Sequence, residues 1–480
     1  MAGRDASRLA VAEAVEELGI GHAQLRTLVF TGAIPFGLGS QLAMTSIVTA
    51  SVAMEFQLGE GRQTLLTMAV YLGLLVGGLL GGRVADTAGR RLPVLMSVLI
   101  VPVIGLLAAL SPHWALLLAA DAAAGVALGL GLPAAVALLS ETTPKAYRII
   151  LRAASDAFFD LGFVYAALLA GWQDSELQEL HWRRLLLWNV LPVVLIGLPA
   201  LALLRESPLF LAAGGYHGEA REALAAVRAL NCGDGAGVAD MPLPEDPAAG
   251  AAVQAEEAGA PLQSAFSRRF FEVTLTLAHA AFFLSVLSFA GTSLQLRADS
   301  PMMDSFVGSG QMVLGGMLDL LALAVSAVLT RQMSRATALA VALGGGAATV
   351  WCFGLAGGAT SRSAAMEFVY QFGALGFYWV PAMGFVSLYQ LAVEVYPTSM
   401  AATGAGIVLA SGRLGAVVAP DLLAKLEAVT GHWSFCCYFL ALACGLGAVK
   451  VYLCLRREDT AEEYLREARP LLYGTAQSKA

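Results

Sequence analysis

A short charged stretch, Gly82-Arg83-Val84-Ala85-Asp86-Thr87-Ala88-Gly89-Arg90-Arg91, separates two long apolar runs and decides the fold of this chain. Glycines let two backbones approach closely in a tight turn. The aspartate can accept hydrogen bonds at a helix end, and the arginines can face anionic lipid head groups. The stretch therefore predicts a turn at a membrane surface between two membrane-spanning helices.

The composition of the whole chain also favours membrane helices. Of its 480 residues, 58% are hydrophobic and 14% are charged, and the mean hydropathy is +0.69. Globular domains are about 45–50% apolar and about 25% charged, so a large soluble enzyme is excluded, as is a disordered protein. The formal charge of −7 and the lack of a basic stripe with aromatic residues argue against nucleic-acid binding.

Apolar runs recur along the chain at lengths that fit a lipid bilayer. A hydrocarbon core about 30 Å thick requires about 20 apolar residues of helix. Six such runs precede a polar stretch and six follow it. The runs cover residues 27–54, 65–82, 92–110, 114–138, 149–171, 184–204, 270–295, 308–330, 336–357, 368–393, 399–422 and 433–455.

The pattern predicts an all-α membrane protein with twelve transmembrane helices in two six-helix bundles. Lys and Arg gather in the loops on one side, which the positive-inside rule assigns to the cytoplasm together with both termini. In the central loop, residues 206–231 have a helical pattern and residues 232–261 are predicted to be a flexible tether. The predicted parts are an N-terminal segment (1–26), a first bundle (27–204), the central loop (205–269), a second bundle (270–456) and a tail (457–480).

Two segments of the first half resemble motifs of the major facilitator superfamily. Residues 82–91 are similar to its loop motif G-x-L-A-D-R-x-G-R-R, with Thr87 where a basic residue is usual. Glu141, Pro144 and Arg148 resemble the E-x-x-P-x-x-x-R that follows the fourth helix of sugar-porter-like members.

Two further segments narrow the resemblance to particular branches. Residues 394–420 are similar to the E-L-Y-P-T…R-x-T-G-x-G…G-R-x-G…P pattern of the organic-ion and synaptic-vesicle-glycoprotein-2-like branches, although Ala401 stands where an arginine is expected. Residues 205–220 resemble the P-E-S-P-R-W-L…G-x-x-x-E-A loop of the same branches.

The resemblance implies a secondary transporter whose two bundles rock about a central cavity, and not an enzyme. No cofactor or metal is expected. Charged motif residues would form a network that locks and unlocks the bundles; the alternative is that they only cap helix ends. The candidates for this gating role are Gly82, Asp86, Gly89, Arg90, Arg91, Glu141, Arg148, Glu394 and Arg413.

The fifth apolar run carries charged residues at a spacing of four, Arg152, Asp156 and Asp160, which places them on one stripe of a helix. Asp160 lies roughly 16 Å into the bilayer, where an ionisable group is a functional candidate by default. Asp160 and Asp156 are therefore candidates for substrate binding or proton coupling. The structural alternative pairs Asp156 with Arg152, and Asp160 with Arg413.

The ion pair that couples protons in sugar-porter-like members is altered in this chain. The resemblance places Leu38 and Gln41 where the first helix frequently has acids and Asp121 where the fourth usually has an arginine. The resemblance therefore does not predict the standard proton symport of sugar-porter-like members for this chain. Gln41 and Asp121 remain candidate site residues, and Tyr378 and Trp379 in the tenth run are aromatic candidates for the cavity wall.

These features predict a transporter of a small organic solute in an integral multi-pass membrane protein. The acidic candidates favour an organic cation or a neutral polar solute over an anion, and the seventh run lacks the paired glutamines by which sugar porters bind hexoses. Transport with a coupled proton and passive uniport both stay open. The alternative is a transporter-shaped receptor or interaction protein, as some members of these branches are suspected to be.

Overall fold

The computed structural model describes residues 2–177, 180–232, 271–295, 309–357, 363–396 and 400–473. The regular elements in these ranges are helices. They are α1 (Ala2–Leu18), α2 (His22–Phe56), α3 (Glu60–Ala88), α4 (Arg91–Ala109), α5 (Trp114–Glu141), α6 (Arg148–Gln173), α7 (Trp182–Leu203), α8 (Pro208–Ala213), α9 (His217–Cys232), α10 (Phe271–Gln295), α11 (Ser309–Thr330), α12 (Arg335–Gly357), α13 (Ala364–Glu394), α14 (Ala401–Thr430) and α15 (Ser434–Tyr473), with a 3₁₀ turn at Lys145–Tyr147.

Twelve of these helices, α2–α7 and α10–α15, are long and apolar enough to cross a membrane. The predicted number of spans is confirmed, and each helix includes most of the corresponding apolar run. The helices α8 and α9 separate the first six spans from the last six.

The helices extend beyond several predicted boundaries. α15 continues from the last span to Tyr473 without a break, so the predicted tail begins inside a helix. The segment predicted as one helix at 206–231 is two helices, because Gly215 adopts φ +83 and turns the chain between α8 and α9. The predicted tether at 232–261 lies outside the described residues apart from Cys232, which ends α9.

Glycines set the closest packing within the first six spans. A Cβ at Gly125 of α5 would meet the carbonyl oxygen of Val70 in α3 and lie 3.0 Å from the Leu74 nitrogen. One turn along, a Cβ at Gly129 would lie 2.6 Å from the Leu74 oxygen. Small residues allow such approach, which drives helix association in membranes where the hydrophobic effect cannot.

The two halves of the molecule meet along α3 with α14 and along α6 with α11. We call the end that carries residues 82–91 the motif end, and the opposite end the far end. At the far end, the Ser309 backbone N–H and hydroxyl both bond to the Ser175 carbonyl oxygen, each at 3.2 Å. The assignment of the motif end to the cytoplasm stays a prediction from the arginine pattern.

Replacing Gly125 by Ala should destabilise the protein by about 1–3 kcal/mol, because the new methyl group forces α3 and α5 apart. Gly345 in α12 is the matched control, since a Cβ there has no heavy atom within 4 Å. Gly345→Ala should leave the thermal unfolding midpoint unchanged or slightly raised. Equal midpoints for the two variants in detergent would contradict the close packing of α3 on α5.

Candidate functional site

The guanidinium of Arg90 is the buried centre of the motif end. Its side chain is fully buried, with Nε and Nη2 donating to Glu141 Oε1 at 3.2 and 3.0 Å. Nη1 donates to the Ala85 carbonyl at 2.9 Å, and Nη2 lies 3.3 Å from Asp86. The Phe210 ring covers the cation, with its centroid 4.4 Å from Cζ. Arg90 thus joins the ends of α3, α5 and α8 around one charge.

Asp86 links the two halves of the molecule. Its carboxylate accepts from the backbone nitrogens of Ala402 at 3.1 Å and Thr403 at 2.6 Å. These N–H groups belong to the first turn of α14, whose own N-cap, Met400, supplies no side-chain acceptor. Asp86 of the first half therefore caps a helix of the second half, where a negative charge also interacts favourably with the helix dipole.

Gly82 allows this cap to form. A Cβ at Gly82 would meet the Ala402 carbonyl oxygen and lie 2.8 Å from Thr403 Cα. One turn earlier in α3, Gly78 faces Gly406 of α14, with a Cβ at Gly78 3.7 Å from the Gly406 oxygen. The backbones of α3 and α14 thus touch at the motif end, which places the Asp86 side chain at the start of α14.

Glu206 belongs to the contacts of the motif end, although the sequence analysis did not include it among the candidates. Its Oε1 accepts from the backbone nitrogens of Arg90 at 3.0 Å and Ser207 at 2.8 Å, and Oε2 accepts from Arg91 at 3.0 Å. It caps α4 after Gly89, which adopts φ +97. Burial raises the pKa of Glu206, although these donors act in the opposite direction. Its position in the motif at residues 205–208 could have identified Glu206 from the sequence.

A second group of contacts crosses between the halves at the motif end. Arg148 Nη1 lies 3.7 Å from Glu394 Oε1, and Arg335 Nε lies 3.4 Å from Glu394 Oε2. Gln390 Nε2 donates to Ser140 at 3.0 Å and to Glu394 at 2.8 Å. The motif end is therefore held together by two polar contact groups, one at α3 with α14 and one at α5 and α6 with α13.

The pairing of the gating candidates follows spatial position and not the motif in which each residue occurs. Glu141 pairs with Arg90, whereas Arg148 of the same motif pairs with Glu394. Among the described ion pairs, none joins Arg413 to Glu394 or to Asp160, so the pairing of Asp160 with Arg413 that we considered is not formed. Arg413 lies instead close enough to Tyr71 for electrostatic interaction. Arg91 donates to the Leu201 carbonyl at 2.8 Å.

Two carboxyl groups from opposite halves lie near each other within the membrane span. Asp160 in α6 and Asp319 in α11 are both partly buried and are close enough for electrostatic interaction. The helices touch at this level, since a Cβ at Gly316 would lie 2.5 Å from Val164 and 3.8 Å from the Asp160 oxygen. Tyr378 of α13 lies within Coulombic range of Asp319. The sequence analysis missed Asp319, although a lone acid in the eighth apolar run was the signal.

An apolar cluster lies beside these acids toward the motif end. Ile149 and Ala153 of α6 pack with Leu323 of α11 and Val386 of α13. Within this region Asp156 is bound by Arg152 through a salt bridge along α6, and the Arg152 guanidinium lies 5.6 Å from the Tyr389 ring centroid. Asp156 thus has a basic partner of its own. Trp379 of α13 is partly buried next to Tyr378.

Asp121 and Gln41 lie together inside the first half. Gln41 Nε2 donates to Asp121 Oδ1 at 3.0 Å and to Thr45 Oγ1 at 3.3 Å. Asp121 is 4% exposed and Gln41 is 9% exposed. The structure therefore joins the two candidates in one buried contact between α2 and α5, with a neutral amide as the partner of the carboxyl group.

Comparisons with known proteins agree with this architecture. The family model described as sugar (and other) transporter matches residues 38–467. The synaptic vesicle 2-related protein of Xenopus laevis is 30% identical over 188 residues, which cover 39% of this chain and 34% of that protein. The organic cation/carnitine transporter 7 of Arabidopsis thaliana is 28% identical over 225 residues, 47% of this chain and 44% of that protein. The matched segments thus span less than half of each relative.

A solved structure extends the likeness to nearly the whole chain. The proton:xylose symporter XylE of E. coli, bound to 6-bromo-6-deoxy-D-glucose, matches with a TM-score of 0.69 at 16% identity. The match covers 90% of this chain and 95% of that one. At this identity the likeness shows that the two chains share a fold.

Replacing Asp86 by Ala should uncap α14 and loosen its first turn. Loss of an N-cap costs about 1–2 kcal/mol, which corresponds to about five- to thirtyfold faster amide exchange at Ala402 and Thr403. Hydrogen-exchange mass spectrometry of the peptide around residues 400–407 measures this. Thr87→Ala is the control, because the Thr87 hydroxyl bonds only within its own turn of α3 among the described contacts. Unchanged exchange in Asp86→Ala would rule out the cap.

Proposed function

The chain belongs to the sugar (and other) transporter family of the major facilitator superfamily, and we propose that it moves a small organic solute, most readily a cation, by alternating access. The family is one of integral membrane transporters and not of enzymes. In the proposal, the solute binds near the midplane between the two sets of six helices. The motif end faces the cytoplasm, in keeping with the arginine pattern.

The observation that carries the preference for a cation is the pair of neighbouring acids, Asp160 and Asp319. The described ion pairs involve neither residue, whereas Arg152 is already bound to Asp156. A charged side chain in the membrane interior costs about 2.5–3.5 kcal/mol by insertion measurements. A solute with a positive charge would offset that cost at both acids, whereas an anion would add to it. Tyr378 could contribute an aromatic face to the same solute.

The contacts at the motif end supply the conformational step. For the cavity to open toward that end, the Asp86 cap on α14 and the Arg148–Glu394 pair must both break. Each consists of a few polar bonds, so the closed arrangement is favoured without being permanent. A solute bound between α6 and α11 would contact both halves of the molecule. Its binding would therefore shift the equilibrium between the closed and open arrangements of the motif end.

The names of the relatives support a transporter of organic solutes without fixing which one. One relative is an organic cation/carnitine transporter and the structural relative is a proton:xylose symporter. Of these two, the cation transporter agrees better with the acids of this chain. A hexose carrier is disfavoured by the missing glutamine pair of the seventh run.

Coupling to a proton would use Asp121. Its described hydrogen bond comes from the neutral amide of Gln41, so the carboxyl group can gain or lose a proton without breaking an ion pair. Because Asp121 bonds to Gln41 between α2 and α5, and the proposed solute binds between α6 and α11, proton exchange at Asp121 would be separate from solute binding.

A thermal-unfolding screen of the purified protein tests the solute class. A ligand at about 100 times its dissociation constant stabilises by about 2.7 kcal/mol, so binding organic cations should raise the midpoint visibly while sugars and organic anions should not. In Asp160→Asn and Asp319→Asn we expect about 10- to 160-fold weaker cation binding, since a charge-assisted contact contributes about 1.5–3 kcal/mol.

Asp421→Asn is the matched control for this screen, because Asp421 is an exposed acid in α14. It should bind the cations as the unaltered protein does. A midpoint raised only by an organic anion, together with unchanged binding in Asp160→Asn and Asp319→Asn, would contradict the proposal. Saturable counterflow of any solute in proteoliposomes would exclude the receptor alternative.

Replacing Asp121 by Asn should abolish proton-driven accumulation of the cation while solute counterflow continues. The Asn side chain keeps the size and can still accept from Gln41, but it carries no titratable proton. Uptake into proteoliposomes with and without a pH gradient measures the difference. Gradient-driven accumulation that persists in Asp121→Asn would assign coupling elsewhere, and its absence in the unaltered protein would indicate uniport.

A further inference from the structure

A cleft with two arginines lies at the motif end, apart from the solute path. Arg26 of α2 and Arg205, which follows α7, line it together with one face of α9. The enclosed part of the cleft is small, about 20 Å³, and the rest of it is open to solvent. Two cations face the same small space here, although they are 179 positions apart in the sequence (205 minus 26).

The charges of the two arginines are not balanced by the described residues. Arg26 is partly buried and repelled by Arg205, and the described ion pairs include neither of them. Glu206 also lines the cleft, but both of its carboxylate oxygens accept backbone N–H groups, Oε1 from Arg90 and Ser207 and Oε2 from Arg91. Like charges near one another repel, and an anion between the two guanidinium groups would relieve that repulsion.

The other polar groups of the cleft are already engaged. Gln24 Nε2 donates to the Thr142 carbonyl at 3.2 Å, and its Oε1 accepts from Gly21 and Asn231. The Thr27 hydroxyl donates to the Ala23 carbonyl at 3.0 Å. The face of α9 on the cleft is apolar, with Ala223, Ala226 and Val227. The guanidinium groups are therefore the donors left for a ligand, and they call for an oxyanion.

The positions of the two arginines at the ends of apolar segments predict that the cleft lies at the level of the lipid head groups. Arg26 directly precedes the first apolar run, and Arg205 follows the last residues of the sixth span. Basic pockets between membrane helices at this depth bind anionic head groups. We propose that Arg26 and Arg205 bind a phosphate group, supplied by the head group of an anionic phospholipid.

A lipid phosphate in this cleft would stabilise the structure around it. It would tie the start of α2 to the segment after α7, which leads directly into the Glu206 cap on α4. The apolar face of α9 would contact the glycerol and upper acyl chain. This site does not depend on the identity of the transported solute. The lipid proposal can therefore be wrong while the proposed function is correct, and the proposed function can be wrong while the lipid proposal is correct.

The full-length protein is purified in detergent and exchanged into phosphatidylcholine nanodiscs with or without phosphatidylglycerol. Retained lipid is then counted by native mass spectrometry, and the thermal midpoint is recorded. We expect preferential retention of phosphatidylglycerol and a higher midpoint in its presence. In the double variant Arg26→Gln, Arg205→Gln the preference should fall about thirtyfold, since each surface arginine contributes about 1 kcal/mol toward an anionic lipid.

Arg331→Gln is the matched control, because Arg331 is an exposed arginine near the motif end of the other half. It should keep the preference. The double variant Arg26→Lys, Arg205→Lys retains both charges and should keep part of it, which guards against a folding defect in the Gln variant. Equal retention of phosphatidylglycerol and phosphatidylcholine by the unaltered protein would overturn the lipid assignment.

Inorganic phosphate is added to the lipid-depleted protein in detergent. This experiment distinguishes a site for the phosphate of a lipid head group from a site for free phosphate. A midpoint raised by phosphate and insensitive to phosphatidylglycerol, with the rise lost in the Gln double variant, would assign the site to free phosphate. No response to either, or a response that the Gln double variant retains in full, would overturn the proposal.

Discussion

The burial of one guanidinium, that of Arg90, is the interaction on which the rest of the motif end depends. A buried arginine must be surrounded by acceptors, and here Glu141, Asp86 and the Ala85 carbonyl supply them from the ends of two helices. This requirement brings α3 and α5 together at the motif end and fixes the Asp86 side chain. Because Asp86 then caps α14, this buried charge helps to position the second half against the first.

The polar groups within the membrane span fall into two kinds. Asp156 and Asp121 are matched by partners of their own half, Arg152 and Gln41, and contribute to its internal order. Asp160 and Asp319 come from different halves and lie where α6 packs on α11. The energetic cost of charge in the bilayer makes the second kind a binding site for a cation in our proposal.

The sequence predicted the fold because its determinants are local. Twelve apolar runs of bilayer length and the charged turn at 82–91 each depend on a few consecutive residues, and all twelve spans are present. Helix ends were less predictable, since α15 runs on past the membrane span and Gly215 divides the central helix. The Arg152–Asp156 pair could be predicted for the same reason, because a spacing of four on one helix fixes the contact.

The sequence by itself therefore determined the class of the protein, the number of spans and the residue types available for gating and binding. Only the tertiary structure decided that Glu141 bonds to Arg90 while Arg148 bonds to Glu394, that Glu206 caps α4, and that Asp319 lies near Asp160. Hydrophobic length is a property of a continuous segment and can be counted along the chain. The partner of a charged side chain depends on how distant helices pack, which is set by close contacts such as those at Gly82 and Gly125.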